Sequence, residues 1–118
     1  MNLDQTRFRV SSTAANGVVS SDTCLAFVQR GAKILGRYSG GSILRGYLVG
    51  TLTGTVLQFR FTQREAAGHI HGGRSVCEFE RLSNGRLRLH EHFTWTTRAG
   101  AGTNTFDQMA DYWGPPTN

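Results

Sequence analysis

Long apolar runs are missing from this 118-residue chain, and so is helical periodicity. No segment approaches the roughly 18 consecutive apolar residues of a membrane-spanning helix. Nor does any window of about ten residues keep apolar side chains at i, i+3, i+4 and i+7, so helices are not expected. Cysteine is scarce. Cys24 and Cys77 are too few for a disulfide framework, and strand parity puts their side chains on opposite faces of a sheet, so both read as free thiols. Both prolines fall in the last few residues, DYWGPPTN, which reads as an irregular extension. Lysine is nearly absent, Lys33 standing alone beside the arginines; basic residues number 13 against 8 acidic, a net charge of +5. An arginine excess reflects the base composition of a genome as readily as nucleic-acid binding, so nucleic acid is not the expected partner. The opening MNLDQTRFRV lacks the charged-then-apolar order of a signal peptide, which makes a cytoplasmic location the expectation.

What is present is β-branched and aromatic residues recurring between glycine-bearing breaks. Candidate strands cover 5–12, 22–30, 32–39, 43–51, 54–63, 69–82, 86–97 and 102–109. The breaks are too short for crossover helices, so sequential strands must be antiparallel. A meander of eight would expose two long edges unless it closed. The expected fold is therefore all-β: an eight-stranded antiparallel up-and-down barrel, calycin-like, forming one domain over residues 1–110 with a tail at 111–118. A chain of this length buries a single core.

Residues paired across a hairpin share a face, so parity can be tested against turn chemistry. A two-residue Asn84-Gly85 turn would set Phe79 against His90, apolar against polar. A three-residue loop, Ser83-Asn84-Gly85, instead pairs Phe79 with Leu89, Cys77 with Glu91, Ser75 with Phe93 and Gly73 with Trp95 inside. Outside it pairs Glu80 with Arg88, Glu78 with His90 and Val76 with His92. Upstream, a Leu52-Thr53 turn sets Leu57, Phe59 and Phe61 opposite Leu48, Gly46 and Leu44, and a Gly40-Gly41-Ser42 loop sets Gly36 against Gly46. Leu25, Phe27 and Gln29 point in from the second strand, Phe8 and Val10 from the first, and Asn104, Phe106 and Gln108 from the last. Inward glycines at 36, 46 and 73 either make room for Phe59 and Trp95 or leave a pocket, and an eight-stranded barrel is wide enough for either.

Within RLRLHEHFTWTT, Glu91 shares the apolar face with Leu89, Phe93 and Trp95. Burying a carboxylate costs several kcal/mol unless it is hydrogen-bonded, and desolvation raises its pKa toward the range a general acid or base needs. Its partner is either a ligand or a polar neighbour such as Gln29, Tyr38, Asn104 or Gln108. The expected ligand-binding set is Tyr38, Gln29, Phe59, Phe61, Cys77, Phe93 and Trp95, with Glu91 as the catalytic candidate for cofactor-independent isomerisation or cyclisation. Cys77, facing a carboxylate in apolar surroundings, is expected to be a poor nucleophile. The four histidines of HIH and HEH fall at opposite parities, with His71 and Val76 (the partner of His92) on the order of 17 Å apart along a strand, so no metal is expected. No cofactor is expected either. RYSGGS has Ser42 where a pyrophosphate loop needs glycine or alanine, and a strand follows where a helix should.

The chain resembles a group of small bacterial proteins of similar length. They share an MNL start (Met1 to Leu3), a tyrosine-Gly-Gly turn (Tyr38 to Gly41), a G-x-L-x-G strand (Gly46 to Gly50), the Asn84-Gly85 turn, and a strand with an inward Glu91 and Trp95. Members often carry the label N-acetylglutamate synthase. The resemblance implies a single small β domain and assigns no catalytic residue. The reading that follows is a barrel enclosing a small apolar or aromatic ligand, with no membrane partner and with a homo-oligomer allowed. The alternative is a nucleic-acid or protein interaction module using outward Arg7, Arg9, Arg37, Arg45, Arg60, Arg86 and Arg88 beside Tyr47.

Overall fold

The computed structural model describes residues 1–14 and 17–110; the tail expected at 111–118 lies outside the described residues. Eight strands follow in order: β1 (Arg7–Thr13), β2 (Cys24–Arg30), β3 (Lys33–Gly40), β4 (Ile43–Thr53), β5 (Val56–Glu65), β6 (Ile70–Arg81), β7 (Leu87–Trp95) and β8 (Ala101–Gln108). Each pairs antiparallel with its sequence neighbour, and β1 pairs with β8, so the sheet closes as a barrel and has no free edge. Among the described residues no helix is long and apolar enough to cross a membrane.

The β6–β7 register is the one turn chemistry demands. Cys77 lies opposite Glu91, Ser75 opposite Phe93 and Gly73 opposite Trp95. Leu82 N donates to Arg86 O at 2.8 Å, Gly85 N donates to Leu82 O at 2.9 Å, and Gly85 has φ 86°. These are the marks of a three-residue loop ending in a left-handed glycine.

The expected β4–β5 and β3–β4 registers are corrected. Thr53 pairs with Val56, so the turn is Gly54-Thr55 and not Leu52-Thr53. Gly54 has φ 62°, and a two-residue type II′ turn takes glycine at its first central position. Phe59 therefore faces Gly50, Phe61 faces Leu48, and Leu52 is buried against Leu57. Across β3–β4, Gly36 faces Leu48, and it is Tyr38 that faces Gly46. Both shifts are even, so inward residues stay inward. The exception is Leu44, expected inside: a bulge between Ile43 and Arg45 buries Ile43 and leaves Leu44 55% exposed.

The inward glycines make room for large neighbours. A Cβ on Gly46 would sit 2.3 Å from Tyr38 Cζ, one on Gly73 2.7 Å from Phe61 Cζ, and one on Gly36 2.7 Å from Leu48 Cγ. One end of the barrel is filled by Phe8, Phe27, Ile34, Leu57 and Leu3, all at most 1% exposed. Phe8 packs edge-on against Phe27 and Phe79. Leu3 belongs to the N-terminal segment, which folds over this end: Gln5 N donates to Phe27 O and Thr6 N to Leu3 O. The other half keeps a small cavity.

Candidate functional site

In that half, alternation along β5 and β7 turns Phe59, Phe61, Phe93 and Trp95 toward one space. Their rings meet edge to face, with centroids 6.2 Å apart for Phe59 and Phe61, 5.4 Å for Phe61 and Trp95, and 5.6 Å for Phe93 and Trp95. Leu25, Leu89 and Phe106 also line the space, as do Val18 and Val19 from the β1–β2 connection. The cavity they enclose measures about 40 Å³. That is room for about three waters, or for a ligand of comparable bulk.

Four polar residues of the lining carry the chemistry: Glu91 with Asn104 beside it, and Tyr38 with Gln63. Glu91 is 7% exposed. Ser75 Oγ donates to Glu91 Oε2 at 2.6 Å, and Asn104 Nδ2 donates to Oε1 at 2.9 Å. Asn104 is held in this orientation because its Oδ1 accepts from Thr13 Oγ1 at 2.6 Å. Burial pushes the Glu91 carboxyl up, while Asn104, Ser75 and the nearby His92 pull it back without reversing the shift. Neither hydrogen-bonding partner is charged.

Tyr38 sits over Gly46 and donates to Gln63 Oε1 at 2.8 Å. Burial first, then Glu91 and Glu65, pushes its hydroxyl well above the usual range, so it stays a neutral donor. Gln63 Nε2 in turn donates to Glu65 Oε2 at 2.9 Å. Glu65 accepts both arms of the Arg98 guanidinium, and Arg98 Cζ lies 3.9 Å over the Trp95 ring. Burial raises the Glu65 carboxyl, but hydrogen bonds from Arg98 and Gln63 and the Arg98 charge outweigh it and leave the group below its ordinary value. A polar chain thus runs from the cavity to its rim.

Two expected ligand contacts are placed elsewhere. Gln29 is spent on the N-terminal segment at the filled end: its Oε1 accepts from Leu3 N at 2.7 Å, its Nε2 donates to Gly31 O at 2.9 Å, and its backbone N donates to Asp4 Oδ1 at 2.9 Å. At the end of β2 it has inward parity, but the N-terminal segment takes up its side-chain oxygen. Cys77 is fully buried in the apolar cluster and is not part of the cavity lining. Burial and then Glu91 push its thiol up, so it packs as a small hydrophobe. Gln63, Ser75 and Arg98 are absent from the expected ligand set. Gln63 continues the parity of Leu57, Phe59 and Phe61 and is within reach of that signal; Arg98 is in a loop, where parity gives none.

The histidines do not converge. His71 Nδ1 meets Thr97 Oγ1 at 2.8 Å, whereas His90 Nε2 meets Glu80 Oε1 at 2.8 Å on the outer face. Among the described residues no group of three or more His, Cys, Asp or Glu is arranged to hold a metal. Of the outer arginines, Arg88 is paired in two bonds with Asp107.

A family model described as Avidin-like protein matches residues 1–109. This places the earlier likeness to small bacterial β proteins at the level of a barrel family, and nothing in the match bears on the synthase label. No curated protein and no solved structure matches significantly.

Proposed function

Since the chain belongs to the avidin-like family, whose calycin-type barrel is a small-molecule-binding fold, we propose that this protein binds one small, largely apolar molecule in the open half of its barrel. The observation that carries the reading is the unfilled aromatic space with one buried carboxylate on its wall. A barrel interior shaped only for stability has little use for a buried carboxylate that has neutral hydrogen-bond donors but no cation beside it. Glu91 and Tyr38 are the polar contacts, with Gln63 behind Tyr38; Phe59, Phe61, Phe93 and Trp95 are the walls. Such a division, a mostly apolar surface with few fixed polar groups, is how compact ligand sites combine affinity with orientation.

Native mass spectrometry of freshly purified protein tests this directly. A co-purified small molecule is expected on the wild type and is expected to be lost from Glu91→Gln. A wild type that carries nothing, and that no member of a small-molecule panel stabilises against heat, would sink the reading.

A second reading rests on the upward shift of the Glu91 carboxyl. A carboxyl poised nearer neutrality can move a proton next to a carbonyl, so a bound ligand could be isomerised or cyclised there without a cofactor. Recovering the ligand chemically unchanged after prolonged incubation with the protein would remove this reading and leave binding.

A further inference from the structure

Among the described residues, Glu91 is the only ionisable carboxyl on the cavity wall, and the lining holds no arginine, lysine or histidine. Its two hydrogen-bond donors, Ser75 and Asn104, are neutral. The guanidinium of the rim, Arg98, is engaged by Glu65 and stacked on Trp95. Around Glu91 the other titratable groups are the Tyr38 hydroxyl from β3 and the Cys77 thiol from β6, both neutral, with His92 on the outer side of β7. A buried carboxylate is normally paired with a cation. Here the cavity wall supplies none.

Resting on the binding reading above, we infer that the cavity takes a small organic cation, a protonated amine set against Glu91 inside the aromatic wall. The rings provide the second half of the argument. Phe59, Phe61, Trp95 and Phe93 form a continuous edge-to-face series around the space, and the faces of such rings attract ammonium groups. The Tyr38 proton is committed to Gln63, so its oxygen offers the cavity a lone pair and not a donor. An ammonium N–H therefore finds acceptors at Glu91 and Tyr38. An anion of the same size finds a carboxylate in its way, and a neutral analogue leaves that carboxylate without a counter-charge.

Titration calorimetry at neutral pH decides the point, using ethylamine and propylamine, their neutral counterparts ethanol and propanol, and propionate. Each amine is expected to bind the wild type at least about tenfold more tightly than its alcohol, and propionate is expected not to bind. Glu91→Gln is expected to bring the amines down to the level of the alcohols while leaving alcohol binding in place; should that variant not fold, the wild-type ratio of amine to alcohol stands as the test. Alcohols that bind as well as amines would overturn the cation inference and leave the pocket standing. No binding of any probe would overturn both.

Discussion

Asn104 and Glu91 stand directly opposite each other across β7 and β8, and the Asn104 amide donates to the carboxylate at 2.9 Å. Thr13 on β1 fixes which way that amide faces. Closure of the barrel by β1 and β8 is therefore built into the orientation of the cavity carboxyl group, which links fold to site through three side chains.

Glu91→Gln is expected to stabilise the protein at neutral pH, by about 1–3 kcal/mol if the ionised form of the carboxyl is left unpaired. The carbonyl of the substituted amide can accept from Asn104, and its NH₂ can donate to the Ser75 hydroxyl, which rotates to accept. The sign follows from the raised carboxyl. The folded state holds the proton more tightly than the unfolded chain, so the favourable contribution is fully present below the unfolded value near 4.5 and is lost as pH rises through the folded one. Urea denaturation of both proteins across pH should show the gap closing as pH falls toward the unfolded value; a constant gap would contradict the buried-carboxyl account.

Gly46→Ala is expected to cost about 1–3 kcal/mol by overpacking. The new Cβ would lie 2.3–2.6 Å from Tyr38 ring carbons, too close for any real contact. The ring must then move and loosen its bond to Gln63. Thermal unfolding measures the loss, and a drop in ligand retention should accompany it.

Arg98→Ala should weaken the rim. Glu65 loses its partner, and Trp95 loses the guanidinium over its ring. Because the folded Glu65 carboxyl is held low, its pairing stabilises above the unfolded value of 4.5 and fades as pH falls through the folded one. The expected loss at neutral pH is about 0.5–1 kcal/mol, scaled down because Arg98 keeps part of its surface in water. Denaturation curves of wild type and variant should converge in acid, and a gap that widens there would refute the assignment.

Gln29→Ala separates the two barrel ends. It is expected to leave ligand binding unchanged and to speed hydrogen exchange at the backbone amide of residue 3, which loses its acceptor, Gln29 Oε1. Altered ligand affinity would return Gln29 to the site.

Much of this molecule is legible in strand alternation. A period of two assigns each side chain a face, so Glu91, Phe93, Trp95, Phe59, Phe61 and Tyr38 can be read as inward from sequence, and the clash of apolar with polar in the wrong hairpin selects the β6–β7 register. Parity survives an even slip, which is why the β4–β5 register can be displaced without turning a residue inside out, and why Leu44, at a bulge, is the one that differs. What alternation cannot say is how far along the axis a residue lies or what stands across the interior. Gln29 and Tyr38 have the same inward parity; one is tied to the N-terminal cover and the other to Gln63 at the open half. Only closure of the barrel, a sum of registers around eight strands, set the depth of each side chain and brought Thr13 onto Asn104, whose amide meets Glu91. Arg98 owes its place to a loop, where no periodic pattern operates, and its position over Trp95 was decided by tertiary contact with Glu65.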